Sequence, residues 1–178
     1  MDYKVRESRR AFDGKAFNVR VDLLDGPAGT IHHVDIVEHP GAIALIPIDK
    51  QDRVWLVRQY RHPAGEELLE LPAGTLNPGE SPEVCATREC REEIGMAPEE
   101  LIHLGGTFLA PGYSTEYLHF FLAQELSTAP LPPDPGEVLH VEKIPWEKLW
   151  DLIEDGSIRD AKTLAGLVLA RLWLENVE

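Results

Sequence analysis

The segment GTLNPGESPEVCATRECREEIGM, residues 74–96, constrains this chain more than any other. Its middle is a helix start. Ser81 offers a capping hydroxyl, Pro82 suits the first helical position, and Glu83 lies near the positive end of the helix dipole. From there to Ile94 nothing breaks a helix, and Gly95 is a natural stop. Glu89 and Glu93 are four apart, and Glu89 and Glu92 three apart, so the three carboxylates lie on or near one face. Like charges at that spacing destabilise a helix by about 0.2–0.5 kcal/mol per pair. A hard cation such as Mg2+ or Mn2+ relieves the repulsion, because it favours carboxylate, carbonyl, water and phosphate oxygens. An acidic run by itself usually means a solvated face. The flanking Gly74, Glu80, Arg88 and Gly95 turn the reading toward a metal site.

At 178 residues the chain suits one compact domain, with room for a small appendage. Hydrophobic content of 43% and charged content of 27% fit a folded globular protein. The net charge of -14 argues against a nucleic-acid surface, which needs a basic patch. It does not exclude a nucleotide substrate, because bound cations invert the local field. No apolar run approaches the roughly 18 residues of a membrane span, and MDYKVRESRR has no apolar segment behind its charges. A cytoplasmic protein without membrane partners is expected. Cys85 and Cys90, five apart on the same helix, point in different directions and read as reduced packing residues.

Strand-like stretches occupy 16–24 and 31–38, and the turn-rich DGPAGT between them makes a hairpin; a shorter strand precedes them near Lys4 to Ala11. Further strands are expected at 41–49, 53–60, 66–74, 101–110, 116–126 and 138–144. The proline-rich 127–136 reads as a surface loop. Helices are expected at 146–155, stopped by Gly156, and at 161–175. Helices amid mixed strands imply an α/β/α sandwich. The division expected is a small N-terminal antiparallel β-sheet over 1–40 and a main domain over 41–178.

Gly74, Glu80, Arg88, Glu89, Glu92, Glu93 and Gly95 fit the pattern G-x5-E-x7-R-E-U-x-E-E-x-G-U, with apolar Cys90 and Met96 at the two U positions. Seven fixed letters at fixed spacing arise by chance roughly once in a hundred million start sites, given ordinary residue usage. The segment resembles the signature box of the Nudix hydrolases. Pro111 lies sixteen residues after Gly95, inside APGYSTE, and resembles the marker of the ADP-ribose pyrophosphatase subfamily. Taken alone, Pro111-Gly112 is a plain turn. VEHPGAIALIPID, VRQYRHP, LELPAG and GEVLHVEKIPWEKL resemble the same subfamily, as do the N-terminal strands, so the likeness spans nearly the whole chain.

The resemblance implies a Nudix α/β/α sandwich with a mixed sheet, and hydrolysis of ADP-ribose to AMP and ribose 5-phosphate. It implies that Glu89 and Glu93 are the principal metal ligands, joined by Glu92 and the Ala73 carbonyl, with Mg2+ or Mn2+ bridging them to the diphosphate. Gly74, Glu80, Arg88 and Gly95 then serve the box structurally, Glu80 and Arg88 tying the loop to its helix. Glu137 is the first choice for the general base and Glu92 the second. Arg61 matches an arginine that contacts the diphosphate, with Arg58 a weaker alternative. Glu116 resembles an acid near the terminal ribose. Relatives are homodimers whose N-terminal sheet helps to form the adenine site of the partner.

Other residues stay open. Glu70 is either a metal neighbour through water or an ordinary strand-end carboxylate. The histidines show no metal-ligand spacing, and His32-His33 on a strand point to opposite faces. Phe12, Phe17 and the four tryptophans are candidates to stack an adenine, though each residue type is more often core. Two other functions compete: a pyrophosphatase for UDP-glucose or GDP-mannose, and a domain that senses a nucleotide without cleaving it.

Overall fold

The run AIALIP is apolar at every position, and such a strand is stable only where both its faces are covered. The computed structural model, which describes residues 3–134, 136 and 138–177, buries all of it. In chain order the elements are β1 (Lys4–Asp13), β2 (Asn18–Asp25), β3 (Ile31–Glu38), β4 (Ala42–Pro47), β5 (Arg53–Arg61), β6 (Glu66–Glu70) and β7 (Ala73–Thr75). Then come α1 (Pro82–Glu93), β8 (Met96–Phe108), β9 (Tyr117–Thr128), β10 (Leu139–Pro145), α2 (Leu149–Glu154) and α3 (Ala161–Val177). They divide into two units, Met1–Gly41 with Thr107–Tyr117, and Ala42–Gly106 with Leu118–Glu178.

The first unit is an antiparallel meander, β1-β2-β3. Asp22, although buried, accepts from Ser8 Oγ at 2.6 Å and Arg20 Nε at 3.1 Å. Arg10 and Arg20 both reach Glu38. The segment around Tyr113 is fastened to β3: Val37 N–H donates to the Tyr113 carbonyl at 2.7 Å, and Thr115 N–H to the Val37 carbonyl at 2.9 Å. This unit is therefore discontinuous in sequence.

In the second unit a mixed sheet runs β7-β4-β9-β8, with β4 parallel to β9 and antiparallel to β7; a second sheet runs β10-β5-β6. Alternation along β4 builds two cores. Ala42, Ala44 and Ile46 pack with Phe120 of β9, Leu149 of α2, and Leu167 and Ala170 of α3. Ile43 and Leu45 pack with Cys85, Ala86, Cys90 and Ile94 from the α1 side. Helices on both faces of β4 make the α/β/α sandwich with its mixed sheet, as the strand pattern implied. Both cysteines are free and buried, and burial pushes each thiol up to about 12.

Several boundaries differ from the sequence reading. The stretch 66–74 is two strands, because Pro72 has no N–H and the Leu71 N–H turns instead to Thr163 Oγ1 at 2.9 Å. The chain crosses there from one sheet to the other. β8 begins at Met96, directly after Gly95 at φ 72, rather than at 101. β9 runs to Thr128, into the proline-rich stretch. The helix expected from Trp146 opens with a 3-10 turn, Trp146–Lys148, before α2.

Gly166 of α3 is a second constraint on packing. A Cβ there would stand 2.5 Å from Leu71 Cδ1 and 3.1 Å from Phe120 Cδ1, both in the core. Gly166→Leu is expected to lower stability by about 1–3 kcal/mol through overpacking, read as a lower urea midpoint at unchanged m-value.

Candidate active site

The site is built on one helix and the loop that leads into it. Ser81 Oγ accepts from the Val84 N–H at 3.4 Å, Pro82 opens α1, and Gly95 follows its end in the left-handed region. The loop closes on itself where Asn77 N–H donates to Glu80 Oε2 at 2.9 Å. Arg88 grips that same carboxylate from the helix, Nε to Oε1 and Nη2 to Oε2, both at 2.9 Å. A fork on a carboxylate is both strong and directional. The Arg88 hydrogen bonds hold the Glu80 carboxyl down at about 2. Glu80 and Arg88 thus join the loop to the helix.

Arg88 does more than its sequence position conveys. Nη2 also donates to the Thr75 carbonyl at 3.3 Å, and Nη1 bonds Glu89 Oε1 and, at 2.9 Å, Glu92 Oε2. One guanidinium therefore compensates Glu80 of the loop and Glu89 and Glu92 of α1, the last two of which the sequence reading left to a metal ion alone.

Glu89 and Glu93 are buried, each 8% exposed. Glu93 Oε2 accepts the Ala73 N–H at 3.1 Å. A Cβ on Gly74 would stand 1.9 Å from Glu89 Cδ, so no other residue fits there without moving the carboxylate. Ala73, Gly74, Glu89 and Glu93 are thereby brought together by β7 and α1. Their donor chemistry fits a hard divalent cation: carboxylate oxygens beside a backbone strand, with the nearby Cys85 thiol kept protonated by burial. Among the described residues no three acids, histidines or cysteines converge at cation-binding distance.

Arg61, at the end of β5, donates Nε to Glu70 Oε1 at 2.9 Å and Nη2 to Oε2 at 2.6 Å. Glu70 is 1% exposed and also accepts from Lys162 Nζ. Burial alone would raise its carboxyl pKa, but Arg61 and Lys162 outweigh that and lower it. Arg61 is raised chiefly by Glu70, with a further contribution from the field of Glu93. Arg58 is engaged elsewhere, with Nε on Glu142 Oε1 at 2.6 Å between β5 and β10.

Pro111 and Glu116 belong to the first unit. Pro111 sits in a turn closed by Tyr113 N–H and Ser114 N–H on the Ala110 carbonyl, and Glu116 N–H donates to Ser114 Oγ at 3.1 Å. Glu137 lies outside the described residues. Among the aromatic candidates, Trp55 is buried under Lys143, and Trp146, Trp150 and Trp173 pack on the core. Phe12 and Phe17 keep exposed faces. The sequence reading missed Asp160, Lys162 and Thr163. Its one available signal was DAKT at a helix start, where Asp160 Oδ2 caps α3 by accepting the Thr163 N–H at 3.0 Å.

The NUDIX domain matches residues 37–167. The chain is 33% identical over 165 residues to an ADP-ribose pyrophosphatase of Bacillus subtilis, covering 92% of this chain and 89% of that protein. It is 31% identical over 171 residues to a methanol dehydrogenase activator of Bacillus methanolicus, covering 95% and 92%. A crystal structure of an ADP compounds hydrolase superimposes with a TM-score of 0.89 at 26% identity, covering 99% of this chain and 96% of that one.

Because the Glu80 carboxyl titrates near 2 when folded and near 4.5 when free, its pairing stabilises the fold fully above about 4.5. That contribution is lost as the pH falls toward 2. Glu80→Gln is expected to be less stable at neutral pH and to lose less on acidification than the parent, measured by thermal melts across that window.

Proposed function

The chain belongs to the Nudix family, and we propose that it hydrolyses the diphosphate bond of ADP-ribose to AMP and ribose 5-phosphate. The observation that carries the reading is the buried Glu89 and Glu93 pair seated on Ala73 and Gly74. It is supported by the near full-length likeness to an ADP-ribose pyrophosphatase.

Glu89 and Glu93, with Glu92 and the Ala73 carbonyl, would hold a divalent cation, Mg2+ or Mn2+. When bound, that cation neutralises the diphosphate charge and supplies a more acidic water. The remaining work falls to the chain. Arg61 presents a planar fork suited to phosphate oxygens, and its Nη1 takes part in neither bond to Glu70. Glu137 is the first choice to accept the proton of the attacking water, and Glu92 the second. Gly74 and the Arg88 fork hold α1 and its loop in place, which fixes the backbone that carries the carboxylates.

The N-terminal sheet supports a homodimer. Val5, Phe12 and Ile31 are each more than half exposed on the first unit, and covering apolar surface favours association. Light scattering at micromolar concentration is expected to return twice the chain mass; a monomer would remove the cross-subunit part of the reading.

A panel of nucleoside diphosphate compounds, assayed with Mg2+ and with EDTA, tests the function. AMP release that needs Mg2+ and is fastest from ADP-ribose is the expected result, and Glu93→Gln should abolish it while the circular dichroism stays unchanged. Faster cleavage of UDP-glucose or GDP-mannose would move the substrate and keep the chemistry. Ligand binding without turnover would leave a nucleotide-sensing domain.

A further inference from the structure

Four charged side chains form a line that begins at the start of α3 and ends beside the box. Asp160 Oδ2 accepts from the Thr163 hydroxyl at 2.6 Å and from Lys162 Nζ at 2.8 Å. Lys162 Nζ also donates to Glu70, and Glu70 takes two donors of Arg61. Thr163 fixes the register, because its hydroxyl oxygen accepts the N–H of Leu71, the residue after Glu70.

Burial gives the line a direction. The side chains are 19% exposed at Asp160, 13% at Lys162, 2% at Glu70 and 40% at Arg61, so the line is deepest at Glu70 and opens at Arg61. Buried ion pairs lose much of their attraction to desolvation and contribute little net stability. Lys162 bonds the same Glu70 carboxylate and is itself held by Asp160, so Glu70 is fixed from the side opposite Arg61's open end. Asp160, for its part, is met by the positive end of α3.

We propose that Lys162 is a positioning residue: by holding the Glu70 carboxylate it orients the Arg61 guanidinium toward the diphosphate of the substrate. The proposal rests on the function set out above. Lys162 touches no reacting atom and acts only through Glu70 and Arg61.

A double-mutant cycle tests it, with steady-state kinetics on ADP-ribose for wild type, K162M, R61A, R61A/K162M and K162R. K162M is expected to raise KM about tenfold, the scale of a lost charge-assisted hydrogen bond, with kcat within about threefold. In the R61A background K162M should change KM by less than about twofold, and K162R should restore most of the loss. K162Q, which removes the charge but keeps a polar stem, runs the same cycle if K162M does not fold. Additive effects on KM, or a lower melting temperature with KM unchanged, would overturn the proposal for an active enzyme. A wild type that cleaves no nucleoside diphosphate overturns the function and this inference together.

Discussion

The contact between Gly74 and the Glu89 carboxylate is the constraint on which the site depends. A Cβ at position 74 would overlap Glu89 Cδ, so β7 and α1 can approach this closely only with glycine there. The same approach lets the Ala73 N–H reach Glu93. One short strand thus meets the first and last acids of the turn from Glu89 to Glu93. The helix cap at Ser81 and the bidentate Glu80–Arg88 pair serve the same end, because they set where α1 starts relative to that strand.

Charge compensation is the second theme. The chain carries a net charge of -14, yet several carboxylates near the site are matched locally. Arg88 serves Glu80, Glu89 and Glu92, while Arg61 and Lys162 serve Glu70. Buried acids without such partners would take up protons instead. A bound cation would compete with Arg88 for Glu89 and Glu92. The buried thiols of Cys85 and Cys90 stay protonated and leave the chemistry to oxygen donors.

Much of the fold was legible because it rests on local rules. The continuous apolar run of β4, the Ser-Pro-Glu start of α1 and the Gly95 stop each follow from nearest-neighbour chemistry, and all three stand in the structure. The boundaries that differed depend on distant partners. The break between β6 and β7 needs Thr163 to take the Leu71 N–H, over ninety residues away in sequence. The early start of β8 places Pro98, Glu99 and Glu100 in a strand, where pattern alone gives no apolar alternation.

By itself the sequence determined the box: which residues lie on one helix face, what begins and ends that helix, and which acids suit a hard cation. Spacing along one helix is enough for that, since a period of 3.6 residues decides what shares a face. Only the tertiary structure decided what those acids meet. The seat of Glu89 over Gly74 and the line from Asp160 through Lys162 and Glu70 to Arg61 join separate elements. Whether a buried charge finds its partner depends on how sheets and helices pack, and no local pattern carries that information.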